Sequence, residues 1–452
     1  MLGARNYQAY AIWVLPCFRN GLFLLSSAMA SFITPFISIA VSVALPSIAK
    51  SFNLDMASVN WFANAFLISM ASTILLLGVV ADWLGKELMF VIGVAVFTVT
   101  AFLVLFVGDF TWLLLLRCVQ GLGAAMISGT AVAILASLFP KETGLVIGIN
   151  TTAVYVGTTL GPVLGGFLVN YAGWPSLFIF SGATALVSLM LAFLSLDFTK
   201  RGGKRRPCFE TLLIFTFSTI LVSVGSAYIR SLFGLAALFV GLIIFVFSLY
   251  IEHKKSLNLV EQIFEKSTFL AYLVALLNYV ATYALTILYS NYLQLGAGFT
   301  SWETGLILLA QPIPQVLLSP ITGYLSDRWD PGILVAAGMG LISLGIGVSI
   351  MSYKWLSFLI ASLILLGTGF AFFASPNTTQ IMRKIPREAF ASASSFLGLM
   401  RFLGQSLSTS ILTATMLAFK TSMPMEESLT AYLVIAAVGA ATAAMSAQGK
   451  KA

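Results

Sequence analysis

The 452-residue chain reads as an all-α integral membrane protein of fourteen transmembrane helices arranged six, two, six. Three observations predict this. Apolar residues make up 59% of the sequence and charged residues 9%, where soluble proteins carry about 25% charged. Fourteen runs have the roughly 20 mostly apolar residues that a hydrocarbon core of about 30 Å demands. Two stretches 245 residues apart, Gly78-Val79-Val80-Ala81-Asp82-Trp83-Leu84-Gly85-Lys86 and Gly323-Tyr324-Leu325-Ser326-Asp327-Arg328, each close an apolar run with Gly-x-x-x-Asp and a cation.

In order, the runs fall near residues 21–45, 57–80, 88–108, 111–137, 144–170 and 175–196, then 211–229 and 231–251, then 268–293, 304–325, 333–353, 355–379, 389–419 and 428–446. They are continuously apolar, not alternating, which selects helices over a β-barrel. The first run follows Arg5 and Arg19 and precedes thirteen others, so it is expected to be a span and not a cleaved leader. With an even number of spans and a cytoplasmic N-terminus, all but six of the 24 Lys and Arg fall on the cytoplasmic side. The exceptions are Lys50, Arg230, Lys354 and Lys420 outside and Arg117 and Arg401 within spans. That asymmetry is the positive-inside pattern and predicts a multi-pass protein of the cell membrane with both termini cytoplasmic. The net charge of +8 is therefore assigned to topology and anionic lipid, including the cluster Lys200-Arg201-Gly202-Gly203-Lys204-Arg205-Arg206, and no nucleic-acid partner is expected.

The duplication extends beyond the loop signature. Gly121-Leu122-Gly123 returns as Gly367-Thr368-Gly369, and Phe139-Pro140-Lys141-Glu142 as Ile385-Pro386-Arg387-Glu388, both 246 residues on. Six spans do not need so long an offset, and the seventh and eighth, which have no echo, account for the excess. The expected organisation is a six-helix bundle over residues 1–200, a basic linker and two inserted helices over 201–256, and a second six-helix bundle over 257–452. Polar connections at 197–208 and 252–267 flank the inserted pair.

The Gly78–Lys86 segment resembles the cytoplasmic loop signature of the major facilitator superfamily, and Arg117-Cys118-Val119-Gln120-Gly121 its fourth-span Arg-x-x-Gln-Gly pattern. Gly157-Thr158-Thr159-Leu160-Gly161-Pro162-Val163-Leu164-Gly165-Gly166 is similar to the fifth-span signature of its exporters. Val43-Ala44-Leu45-Pro46 and Tyr292-Leu293-Gln294 resemble the fourteen-span drug:proton antiporter branch. The resemblance implies two pseudo-symmetric bundles that rock about a central site. It also implies a cytoplasmic gate at Gly78, Asp82, Gly85, Lys86, Gly323, Asp327 and Arg328, closed when the protein faces outward. The branch typically carries a span-one aspartate where this chain has Ile37, so coupling through that residue is not available.

The fifth-span glycines at 157, 161 and 165 recur every four residues, a spacing that lets helices pack closely, and Pro162 removes a backbone donor and favours a kink. With Gly166 they form the expected packing signature. Charges inside spans are expensive and usually face a cavity or a partner. Arg117 and Arg401 are therefore candidates for cavity or coupling roles, and so are the polar in-span residues Gln120, Asn150, Tyr155, Gln311, Gln315, Asn377 and Gln405. Glu303, at the outer start of span ten, is the best-placed protonatable group. All sixteen acids fall in loops or at helix edges. A cavity holding both arginines would then be electropositive and would suit anionic or neutral amphipathic molecules.

Cys17, Cys118 and Cys208 show no metal-ligand spacing, and His253 is the only histidine, so no metal site is expected. No Walker-type loop and no cluster of acids or histidines is visible, which disfavours ATP-driven pumping, cofactor chemistry and an enzyme. The expectation is a secondary active transporter for amphipathic compounds, an efflux protein coupled to protons by resemblance. A uniporter or importer of a small organic anion, and more remotely a polytopic membrane enzyme, stay open at this level.

Overall fold

The computed structural model describes residues 2–54, 56–197, 208–229, 231–254, 265–299, 301–419 and 425–448. The basic cluster at 200–206 and most of the polar connection at 252–267 lie outside the described residues. Every regular element among the described residues is helical. Spans 1 to 6 are Leu2–Phe52, Met56–Leu84, Lys86–Leu103, Phe110–Leu138, Thr143–Ala172 and Pro175–Ser195. Spans 7 and 8 are Phe209–Ala227 and Leu232–Lys254. Span 9 is broken into Lys266–Thr282, Leu285–Asn291 and a π-turn at Tyr292–Gly296, and span 10 into Ser301–Leu308 and Pro312–Arg328. Spans 11 to 14 are Pro331–Ser352, Leu356–Met382, Phe390–Ala418 and Met425–Gln448.

Local chemistry sets the boundaries. Asp109 accepts from the Thr111 and Trp112 amides at 2.8 and 3.3 Å and so starts span 4, satisfying donors that the first helical turn leaves free. Asp330 does the same for span 11 through the Gly332 amide at 2.9 Å, with Pro331 at the first helical position. Gly85 has φ 119°, a conformation that a side chain resists; it is the turn between spans 2 and 3. The span 10 break falls at Pro312, where the Pro-x-Pro pair lacks the backbone donors needed to run on.

Thirteen of the described helices are long and apolar enough to cross a membrane. Span 13 is the fourteenth. It has 29 residues, but Ser392, Ser394, Ser395, Gln405, Ser406, Ser408, Thr409 and Ser410 lower its hydropathy, and much of that polar surface faces protein.

Spans 1 to 6 pack together, chiefly through pairs 1–5, 1–6, 2–4, 3–4 and 3–6, and spans 9 to 14 through pairs 9–13, 9–14, 10–12, 11–12 and 11–14. Spans 7 and 8 pair with each other, and span 7 lies against spans 2 and 13, one from each bundle. The duplication read in the sequence recurs as contacts. A Cβ on Gly121 would lie 2.6 Å from the Phe66 carbonyl of span 2, and Gly367 abuts the Gln311 carbonyl of span 10, the residue equivalent to Phe66. Gly123 abuts Gly93, and Gly369 abuts Gly338, in the same relation. The two bundles meet through pairs 5–10, 2–13, 4–13 and 5–12.

Candidate functional site

At one end of the seam between bundles, each repeat's signature aspartate caps a helix of the other. Asp82, near the end of span 2, accepts from the Ala391 amide at 3.0 Å and the Ser392 amide at 2.6 Å, and also from the Ser392 hydroxyl. Asp327, near the end of span 10, accepts from the Gly144 and Leu145 amides at 2.8 and 2.9 Å. In both cases the donors are the second and third residues of the receiving helix, span 13 or span 5. Those amides have no partner within their own helix, and a carboxylate there also meets the positive end of the helix dipole. Each carboxylate spends one oxygen on each amide, so the pairing is directional.

The helices that carry these caps cross at glycine. Gly78 of span 2 lies on Ser395 and on the Ala391 carbonyl of span 13, and Gly129 of span 4 faces the same Ser395 hydroxyl. On the pseudo-symmetric side Gly323 abuts the Gly144 carbonyl, and Gly148 sits against Ser319 and Pro320. Ser375 of span 12 adds a bond to the Gly144 carbonyl at 3.2 Å. Lys86 also crosses the seam. Its ammonium donates to the Arg387 carbonyl and lies 5.1 Å from the Phe390 ring centre.

Arg328 departs from expectation. It stacks on Tyr324 of its own helix at 4.4 Å, and the cation on Asp327 is Arg383, 3.1 Å away. The reason is geometric: Asp327 faces the seam, where span 12 brings Arg383, while the next residue along the helix is rotated toward Tyr324.

Further into the membrane region, spans 4, 5, 9, 12 and 13 enclose a cavity of about 120 Å³ between the bundles. Four of the sequence candidates line it: Asn150, Tyr155, Asn377 and Arg401. Asn150 accepts from the Ser27 hydroxyl at 2.9 Å. Tyr155 stands edge-on to Phe370, as does Tyr279, with ring centres 5.9 and 5.5 Å apart. Arg401 lies beside the Tyr279 hydroxyl, and its guanidinium is 5.2 Å from the Phe402 ring centre. Asn377 is 1% exposed, and neither its amide nitrogen nor its amide oxygen has a partner. Among the described residues, no acid lines the cavity.

The remaining cavity candidates lie elsewhere. Arg117 is fully buried inside the first bundle. It donates to the Phe62 carbonyl at 3.1 Å and to Gln120 Oε1 at 2.7 Å, with the rings of Phe62, Phe66 and Phe178 at 5.2, 4.4 and 5.9 Å. Aromatic faces and a carbonyl surround it in place of the expected cavity. Among the described residues, the cavity's positive charge thus comes from Arg401 alone. Gln315 is buried on span 10, and Gln311 sits at the span 10 break with its carbonyl against Gly367. Gln405, one turn beyond Arg401, does not reach the cavity wall, and Glu303 is exposed on the short first segment of span 10. Ile37 is buried in the apolar core.

Gly157, Gly161 and Gly165 form one face of span 5 against span 1, meeting Phe32, Ile39 and Ala40. Gly166 does not belong to that face; a Cβ there would meet only Val43, at 3.9 Å. The helix runs unbroken through Pro162.

Sequence reasoning missed Tyr279, Arg383, Ser395 and the four capped amides at 144, 145, 391 and 392. A signal for the amides was present, because the echoed Pro-Lys-Glu and Pro-Arg-Glu loops lead directly into both receiving helices.

Two repeated helical bundles that meet at one end and enclose a polar cavity define a polytopic membrane transporter. The profile of the Major Facilitator Superfamily matches residues 27–409, with a further match over 271–447, and the chain belongs to that family. It is similar to the riboflavin transporter RibZ of Clostridioides difficile, 26% identical over 386 residues that cover 83% of each chain. It is also similar to the multidrug resistance protein Stp of Mycobacterium tuberculosis, 28% identical over 412 residues, 88% of this chain and 76% of that one. Among solved structures, the human organic anion transporter MFSD10 (TETRAN) shares the fold with a TM-score of 0.64 at 14% identity, covering 94% of this chain and 98% of the other.

Proposed function

We propose that the protein exports amphipathic compounds across the cell membrane by alternating access, with both termini cytoplasmic and the latched end facing the cytoplasm. The observation that carries this reading is the pair of reciprocal caps, Asp82 on span 13 and Asp327 on span 5. Both lie at the same end of the seam, and the cavity lies further in. A capped pair closes that end, and its release opens the cavity there. Similarity to a multidrug resistance protein supports the efflux direction. Proton coupling follows from resemblance to the antiporter branch, with Ile37 removing the usual span-one carboxylate from the scheme.

Reconstitution into liposomes with an imposed pH gradient tests both parts. Substrate accumulation accompanied by a matching change in lumenal pH is expected. Flux that leaves lumenal pH unchanged would contradict proton coupling while leaving transport in place, and flux only down the substrate gradient would make the protein a uniporter.

A further inference from the structure

We infer that the cavity between the bundles selects compact, single-ring aromatic anions that also carry a neutral hydrogen-bonding edge, held by Arg401 at one end and Asn377 at the other. This rests on the reading of that cavity as the substrate site. Three features of the cavity specify the ligand.

The first is charge. Among the described residues, Arg401 is the only charged side chain on the wall and no carboxylate pairs with it. A guanidinium held in a low-dielectric site without a counter-ion favours an anion and disfavours a cation. The second is an unmet amide. Asn377 offers a donor and an acceptor, both buried and both without a partner. A buried polar group left unpaired is costly, so a ligand that supplies both complements gains what the empty site lacks.

The third is size and shape. A volume of about 120 Å³ is on the scale of the roughly 150 Å³ of a protein cavity that takes up benzene, which sets the scale of the ligand's apolar body at a single ring. Tyr155, Tyr279 and Phe373 supply aromatic walls for it. Arg401 is eleven residues into span 13 and Asn377 five from the end of span 12. At 1.5 Å per residue their backbones differ in depth by about 9 Å, which matches a ring bearing polar groups at two positions.

The test is ligand-observed NMR titration of the full-length protein in lipid nanodiscs with four matched probes. These are meta-carbamoylbenzoate, isophthalamide, meta-(aminomethyl)benzamide and benzoate. We expect meta-carbamoylbenzoate to bind about tenfold or more tightly than isophthalamide and the ammonium compound, and several-fold more tightly than benzoate. Arg401→Gln should erase the preference for the anion, with Arg401→Lys restoring part of it. Asn377→Leu should erase the gain of the carbamoyl group, so that meta-carbamoylbenzoate and benzoate bind the variant alike.

Tighter binding of the neutral or cationic probe, insensitive to Arg401→Gln, would overturn the anion assignment while leaving the cavity as a substrate site. Equal binding of benzoate and its carbamoyl derivative would overturn the role of Asn377. Absence of binding by all four to wild-type protein would overturn the inference together with the cavity's reading as the site. The wild-type ranking stands independently of whether any variant folds.

Discussion

The two caps across the seam share a core and differ in their surroundings. Asp82 and Asp327 each hold the second and third amides of a helix in the opposite bundle. Asp82 gains the Ser392 hydroxyl, and its nearby cation, Lys86, is turned to the Arg387 carbonyl. Asp327 gains Arg383, a cation from its own bundle. What both copies keep is the carboxylate on a helix N-terminus of the other half; the accessory groups diverged. The glycine crossings differ as well. Gly323 meets backbone, whereas Gly129 meets only a serine hydroxyl at close range.

The largest effect should come from Asp82→Asn or Asp327→Asn. Asparagine keeps one acceptor and places an N–H₂ against an amide donor, and it removes the charge at the helix end. Loss of a charge-assisted bond pair shifts the latch equilibrium by about 1.5–3 kcal/mol, roughly tenfold to a hundredfold. Initial rates in liposomes should fall accordingly, with membrane insertion preserved. The comparison sharpens if the two variants are damaging to a similar degree, since each carboxylate accepts from three donors and asparagine keeps one acceptor oxygen at either site.

Glycine substitutions should rank next and should separate the two crossings. Gly323→Ala drives a Cβ into the Gly144 carbonyl and within 3.1 Å of the Gly148 Cα, with no side chain to move aside. Gly129→Ala meets only the Ser395 hydroxyl closely, the Ser395 Cβ and Gly78 Cα being 3.7 Å away. Transport should therefore be lost in Gly323→Ala and partly retained in Gly129→Ala, and the Gly129→Ala defect should be relieved by adding Ser395→Ala. If Ser395→Ala brings no relief, the side-chain account of that crossing is wrong.

Arg383→Ala should have the smallest effect. Its side chain is 38% exposed, and the pair with Asp327 is screened by water; such pairs contribute about 0–1 kcal/mol. A rate within about fivefold of wild type is expected, and adding salt to the wild-type protein should have as little effect.

How much of this was legible in the sequence depends on the length scale of the interaction. Span number, the inserted pair and the duplication follow from hydropathy and from local echoes such as Gly121-Leu122-Gly123 and Gly367-Thr368-Gly369. Asp82 and Asp327 stood out because each repeats within its own strip of chain. The amides that donate to them were marked only by the echoed loops ahead of both helices, since a backbone N–H leaves no mark on residue identity: Gly144, Leu145, Ala391 and Ser392 share no side-chain chemistry. Arg117 and Arg401 read alike as charges inside spans. Only packing separates them, because the three phenylalanines around Arg117 come from spans 2 and 6, while Arg401 meets Tyr279 of span 9 at the seam. Asn377 was one of several in-span amides, and its lack of partners is a property of the assembled bundle.

The central claim is that the paired caps hold one end of the seam shut. Its most direct test is the distance between spin labels at Leu84 and Glu388, exposed residues on opposite sides of that end. It is measured by double electron–electron resonance in a cysteine-free background reconstituted in lipid. The wild type should give a dominant short distance, and the Asp82→Asn, Asp327→Asn double variant a dominant longer one. An unchanged distribution in the double variant would contradict the claim.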